Sequence, residues 1–313
     1  MFAYIVRRLL ATIPVMGVVA LFVFSLLYLT PGDPAVIIAG DFATPDDVAR
    51  IRAKLGLDRP FWERFGEWAW MVVRGDLGIS IFTNLPVTTL IGQRVEPTVA
   101  LTLTTLLVSV SLAVPMGVLA AWRAGRWLDR VVMGFAVLGF SVPIFVLAYL
   151  FIFFFSIYLE WLPVQGFTSI REGFWPFLER LILPSAALGI TYIALIARIT
   201  RASMLEVLSQ DYIRTAEAKG LAADKVLVGH ALKNAAVPII TIIGIGIALL
   251  ISGVVVTETV FAIPGIGRLV VDAILRRDYP IIQGVILIFS AAYVVINLAV
   301  DISYTFLDPR IRY

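Results

Sequence analysis

Cysteine is absent from the 313 residues, and histidine occurs once, as His230. No disulfide or thiolate-bound metal can form, and one imidazole cannot build a histidine metal site by itself. Charge is scarce too. Asp, Glu, Lys and Arg make up 15% of the chain, against about 25% in an average soluble domain. No GxxxxGK[ST] phosphate loop is present, so the usual backbone cradle for a nucleoside triphosphate is missing. HExxH and GxSxG are absent as well, which removes the commonest metallohydrolase and serine-hydrolase arrangements. The interiors of the long apolar runs are read as free of Asp, Glu, Lys and Arg. Proton relays and ion-coupled transport usually need such residues at membrane depth. What is left is a conduit whose work is driven from outside the chain.

Hydrophobic residues make up 60% of the sequence, which marks an integral membrane protein. Residues 9–29 carry no charge and follow Arg7-Arg8. That run has the length a bilayer requires, roughly 20 residues, and exceeds the apolar core of a signal peptide. It is read as an uncleaved first transmembrane helix. Thr30-Pro31-Gly32-Asp33-Pro34 ends it, because two prolines and a glycine do not continue a helix. Further spans are expected at 98–121, 131–159 with a kink or tilt at Pro143, 181–197 continuing to Ser209, 235–257 and 281–300. The expected fold class is an all-α integral membrane protein with six transmembrane helices. Its parts are the first helix at 1–30, a sizeable extracytoplasmic helical segment at 31–96, a five-helix core at 97–300 and a tail at 301–313.

Within the segment 31–96, Thr44-Pro45-Asp46-Asp47 reads as a helix start, with a capping hydroxyl and acids at the positive dipole end. Val48, Ile51 and Leu55 form its apolar stripe and Gly56 closes it. Pro60 opens a second helix with Phe61, Trp62, Phe65, Trp68 and Trp70. Such a cluster suits the headgroup interface, or packing against neighbouring helices. Ser109, Ser111, Ser141, Thr191, Ser252 and Asn297 are the weakly polar span residues. They either line a path or hydrogen-bond a helix.

Positive charge sets the orientation once the long 31–96 loop is excluded. Arg7, Arg8, Arg123, Arg126, Arg130, Arg198, Arg201, Arg214, Lys219, Lys225, Lys233, Arg310 and Arg312 fall on one side. Arg171, Arg180, Arg268, Arg276 and Arg277 fall on the short loops of the other. The excess assigns both termini, and the polar stretch 211–238, to the cytoplasm.

That stretch reads DYIRTAEAKGLAADKVLVGHALKNAAVP. Periodicity gives two short helices joined at Gly220, where a left-handed residue would close the first. Ile213, Ala216 and Gly220 share a face. Such a knuckle is either a solvated loop or an element that docks into a groove of another protein. Tyr212 to Ala216, Ala218-Lys219-Gly220-Leu221 and His230 to Ala235 resemble the EAA loop of membrane subunits of binding-protein-dependent ABC importers, peptide/nickel branch. Arg214 and Lys233 stand where the general family motif has Glu and Pro. The branch commonly carries both replacements, and the acidic residue's role does not carry over. The resemblance implies that the segment 211–234, with Tyr212, Arg214, Thr215, Ala216, Glu217, Ala218, Lys219, Gly220 and Leu221, is the helix that couples to an ATPase. Residues 257–267, TETVFAIPGIG, resemble the ETVFxxPGxG element of peptide-importer permeases. That likeness implies an external gate with Glu258, Phe261, Pro264, Gly265 and Gly267; a loop that simply packs is the competing reading.

The resemblance runs from YIVRRLL to LDPR and is to the B-type permease subunit of dipeptide/oligopeptide importers. It implies a non-catalytic subunit in the bacterial cytoplasmic (inner) membrane, without a cofactor of its own. The implied partners are a homologous second permease, two ATPase subunits that bind ATP and Mg, an extracytoplasmic solute-binding protein and the lipid bilayer, with no nucleic acid. Import of nickel chelates, glutathione or another small solute is the nearest alternative; a membrane-embedded enzyme or scaffold is the remote one. The orientation is testable in this cysteine-free chain. A cysteine replacing Asp47 should react with an impermeant thiol reagent outside intact cells, and one replacing Asp224 should not. Equal labelling of the two would contradict the topology.

Overall fold

A computed structural model of the chain describes residues 2–29, 33–40, 43–54 and 56–307. Thr30-Pro31-Gly32, Leu55 of the apolar stripe and the tail from 308 onward, with Arg310 and Arg312, lie outside the described residues. Helix dominates the described residues, and their only bridge of extended backbone pairs Ile79 with Pro86. They divide into two compact units: residues up to 94 with 269–294, and residues 95–268 with those from 295 onward.

The first unit begins with α1 (Phe2–Leu29), α2 (Pro34–Ala39), α3 (Pro45–Lys54), α4 (Phe61–Val73) and α5 (Val87–Gly92). Sequence reading missed α2. Asp33 caps it by accepting the Ala35 amide at 2.9 Å, with Pro34 in the first turn. The start of α3 is as expected: the Thr44 hydroxyl accepts the Asp47 amide at 3.3 Å and donates to the Asp47 carboxylate at 2.6 Å. That hydroxyl holds the Asp47 carboxyl below its ordinary range. The aromatic cluster of α4 resolves into two sets. Phe61, Phe65 and Trp68 pack on Phe24 of α1 at centroid separations of 5.4, 5.6 and 5.2 Å. Trp62 and Trp70 stay exposed. Arg64 is buried beside the Phe24 and Tyr28 rings, and burial lowers its pKa. In the same unit the buried Asp278 carboxylate accepts the Ser80 hydroxyl at 2.5 Å, fastening the loop after α4.

The second unit contains α6 (Val95–Trp122), α7 (Trp127–Ser141), α8 (Ile144–Phe151), a π-helical continuation Ile152–Tyr158, α9 (Phe174–Leu208), α10 (Asp211–Ala218), a π-helical stretch Lys225–Leu232 and α11 (Lys233–Val260). α12 (Ile266–Arg276) and α13 (Tyr279–Leu307) follow, with residues 269–294 of them and their junction belonging to the first unit. α9 is the centre: α6, α7, α8 and α11 all pack against it. Small residues permit the approach. A Cβ on Gly117 of α6 would lie 2.5 Å from Thr200 Cβ and 2.7 Å from the Ala197 carbonyl oxygen. Gly139 of α7 faces Ile190 and Ala194 in the same way, and Gly253 of α11 faces Leu188. Lipid tails are as apolar as the helices, so contact of this closeness, rather than expulsion of water, holds such a bundle together.

Among the described residues five helices are long and apolar enough to cross a membrane: Leu10–Leu29, Val87–Trp122, Phe174–Leu208, Lys225–Val260 and Tyr279–Ser303. A bent pair, Trp127–Ser141 and Ile144–Tyr158, makes a further segment. Its 103° bend falls at Pro143, where a kink or tilt was expected. Pro143 cannot donate an amide and drives the residue before it out of the helical region; Val142 sits at φ −90°, ψ 125°. Two more boundaries shift. The fourth span starts at Phe174 rather than 181, because Pro176 falls in a first turn whose amides need no helical partner. The fifth continues to Val260, so Glu258 belongs to its last turn. The spans expected at 131–159, 181–197 and 235–257 hold no Asp, Glu, Lys or Arg; Asp129, Arg201 and Glu258 lie a few residues beyond their ends, the first two as an ion pair.

Candidate functional site

The polar stretch takes its shape from α10. Ile213 and Ala216 are buried in one apolar cluster with Val118 and Ala121 of α6, Met204 of α9, and Val226, Leu227 and Ala231. Tyr212, Arg214, Thr215, Glu217, Ala218 and Lys219 are exposed on the rest of the helix. The helix closes at Gly220, which has φ +76°. The Gly220 amide donates to the Glu217 carbonyl at 2.9 Å and the Leu221 amide to the Ala216 carbonyl at 3.3 Å. This is the paired closure that a left-handed glycine permits. Leu221, half buried, packs against the same cluster.

Two expectations change. Ala216 belongs to the buried root of α10 rather than to an outer docking face, because helical spacing places it one turn from Ile213. The second short helix is not separate: helix resumes after Ala222 and runs without a break into α11.

The second candidate element lies at the far end of α11, roughly 40 Å along the helix at 1.5 Å per residue. Glu258 is fully buried there. Its Oε1 accepts the Thr98 hydroxyl at 2.5 Å and its Oε2 accepts the Arg268 amide at 2.9 Å. Thr98 Oγ1 in turn accepts the Ile266 amide at 2.8 Å. The start of α6, the end of α11 and the start of α12 are thus tied through one carboxylate. Between them Phe261 and Ile263 are buried and Pro264 is exposed. The Phe261 carbonyl accepts the Gly166 amide at 2.9 Å. Gly265 and Gly267 are required by space rather than by a left-handed backbone angle, which neither adopts. A Cβ on Gly265 would overlap the Glu258 carboxylate. One on Gly267 would stand 2.7 Å from Val255 Cα. Sequence reading found Glu258 and both glycines, but not Thr98 or helix α12.

Of the weakly polar span residues, Ser141 donates to its own helix, to the Val137 carbonyl at 2.7 Å. Thr191 and Ser109 donate across to the carbonyls of Gly139 and Gly189, at 3.3 and 3.4 Å. Thr191 and Ser109 thus join helices, while Ser141 serves its own.

A multi-pass helical membrane protein, with an anchored amphipathic helix between two of its long apolar helices, is the class that this fold and these sites define. Residues 113–313 match the family model described as binding-protein-dependent transport system inner membrane component, and residues 1–102 match the model of its N-terminal part. The chain belongs to that family. It is 57% identical over 310 residues, 99% of each chain, to a probable peptide ABC transporter permease of Sinorhizobium fredii. It is 40% identical, over the whole of both chains, to a dipeptide transport system permease of Alkalihalophilus pseudofirmus. It is 42% identical, again over the whole of both, to a glutathione transport system permease of Escherichia coli. An inward-facing structure of the MetNI methionine ABC transporter superposes with a TM-score of 0.59 at 18% identity, covering 70% of this chain and 96% of that one. At that identity the likeness is one of fold.

The Glu258 geometry sets an order among variants. Glu258→Ala leaves the Thr98 hydroxyl and the Arg268 amide without their acceptor, at about 1–3 kcal/mol for each buried donor left unpaired. Glu258→Gln keeps one carbonyl oxygen and the side-chain volume, so it should melt above Glu258→Ala in detergent. The opposite order, or wild-type melting for both, would contradict the described network.

Proposed function

We propose that the chain is the permease subunit that carries di- or oligopeptides in an ATP-driven importer. Support for the substrate class comes from the likeness to peptide and dipeptide permeases over essentially the full chain. In this reading the chain hydrolyses nothing itself. Two partner ATPase subunits bind ATP with Mg, a homologous second permease completes the path, and an extracytoplasmic solute-binding protein delivers the peptide. Both termini and α10 face the cytoplasm, following the excess of Arg and Lys on that side.

The observation that carries the coupling role is the division of α10 into two faces. Ile213 and Ala216 root it in the bundle, while its exposed side offers Tyr212, Arg214, Thr215, Glu217, Ala218 and Lys219 to a partner. A helix held this way moves the bundle when an ATPase cleft moves it. At the opposite end, the Glu258–Thr98 connection holds the segment with Phe261, Pro264, Gly265 and Gly267 in place as an external gate. Closure of the ATPases then turns the path outward to receive substrate.

The test is uptake by the reconstituted complex with its binding protein. ATP-dependent accumulation of a labelled dipeptide supports the reading, and accumulation of glutathione without dipeptide selects the alternative substrate. Turnover of a compound without any import would support the enzyme reading instead. The root and the docking face are separable by mutation. Overpacking a fitted contact costs about 1–3 kcal/mol. Ala218→Trp, on the exposed face, should detach or uncouple the ATPase at unchanged thermal stability of the permease. Ala216→Trp should lower the permease's own melting temperature. An Ala218→Trp complex with full ATPase binding and full uptake would remove α10 as the coupling helix.

A further inference from the structure

The ion pair between Asp129 and Arg201 has no part in either element described above. Asp129 lies in the first turn of α7 and is buried; Arg201 lies near the end of α9, seven residues before the helix stops at Leu208. The contact is side-on and two-pronged. Arg201 Nε donates to Asp129 Oδ1, and Nη2 donates to Oδ2 at 2.7 Å. Asp129 Oδ2 also accepts the Gly125 amide at 2.9 Å from the turn that joins α6 to α7. That turn uses Gly125 at φ +75°. One carboxylate therefore gathers the α6–α7 turn, the start of α7 and the end of α9. A fork-to-fork pair fixes orientation as well as distance, which a single contact does not.

The two helices meet again further along. Gly139 of α7 lets Ile190 and Ala194 of α9 approach, and the Thr191 hydroxyl donates to the Gly139 carbonyl at 3.3 Å. The two contacts are separated by ten residues of α7 and about eleven of α9, or roughly 15 Å of helix. A helix held at two points that far apart cannot pivot on its neighbour. Just beyond the second point the chain breaks at Val142-Pro143 and turns through 103° into α8. α7 therefore ends at a sharp bend and is fastened to α9 up to it. α9 in turn leads through Ser209 and Gln210 directly into α10.

We propose that Asp129 and Arg201 are positioning residues for transport. They lock α7 to α9, so that a displacement of α10 is delivered to the bend at Val142-Pro143 instead of being lost between the helices. The inference rests on the reading of α10 as the element that meets the ATPase. With the ion pair removed, the contact between α7 and α9 that remains is apolar packing through residues such as Val132 and the close approach at Gly139, which sets distance without the fixed orientation of the fork. The ATPase would still bind and turn over, but its stroke would no longer carry α7, and the bend at its end, in step with α9.

The experiment uses the whole complex in proteoliposomes with its solute-binding protein, a labelled dipeptide, and simultaneous measurement of phosphate release and uptake. Asp129→Asn keeps the volume and an acceptor for Gly125, and Arg201→Gln removes the fork. Both should retain ATPase co-purification and ATP hydrolysis. Both should import less dipeptide per ATP, by about fivefold or more, the lower end of usual coupling factors. Arg201→Lys keeps the charge without the fork and should fall between them and the unaltered complex. An unchanged ratio of dipeptide to ATP in Asp129→Asn and Arg201→Gln would overturn the proposal. So would loss of assembly in all three variants, since the pair would then serve folding alone. Absence of ATP-driven uptake by the unaltered complex would instead overturn the importer reading, and this inference with it.

Discussion

A side chain at Gly117, Gly139 or Gly253 would occupy space that α9 already fills. Inside a bilayer, helices gain nothing from leaving water for one another, so their association depends on contact at the shortest range. The glycines supply that range on three helices, and all three face the same one. Because α9 is fixed by α6, α7 and α11 together, its extension beyond the apolar region has a fixed direction. α10, which follows after two residues, inherits that direction. The position of the candidate coupling face is thus a consequence of how the bundle packs.

The second unit handles its charged groups by the same economy of position. Among its described residues the buried carboxylates are Asp129 and Glu258, near the two ends of the bundle, and each has partners. Asp129 meets a guanidinium fork and a backbone amide. Glu258 meets a hydroxyl and a backbone amide. Buried ion pairs seldom add much net stability, because desolvation offsets attraction. Their directional contacts select one arrangement of the helices that bear them, which suits segments expected to move as units.

Much of this was legible in the sequence. Charge-free runs of the right length gave the long apolar helices, and Thr44 with Pro45 gave the start of α3. Gly220 gave the closure of α10, since a helix ending on a left-handed residue leaves a local mark. The TETVFAIPGIG element was visible as a motif, and the resemblance to importer membrane subunits held at the level of the family. What escaped depends on partners far away in sequence. Thr98 and Glu258 are 160 positions apart, and Asp129 and Arg201 are 72 apart. Nothing near Thr98 distinguishes it from a threonine bonded to its own helix. The bend at Pro143 was located, but its size was not. Pro115, Pro184 and Pro238 sit inside unbroken helices, so proline alone does not tell a kink from a break. Ala216 was assigned to an outer face because small residues suit both docking surfaces and tight cores, and only the packing separates the two.

The central claim is that α10 transmits the work of an ATPase to the bundle. The absence of native cysteine makes a direct measurement possible. A single cysteine replacing Thr215, on the exposed face of α10, can be tested for cross-linking to a cysteine in the cleft of the ATPase subunit, with and without ATP. The account predicts an efficient cross-link whose yield changes with nucleotide, while a cysteine replacing Trp62 in α4 forms none. Absence of any cross-link from Thr215 in a fully assembled, transporting complex would contradict it.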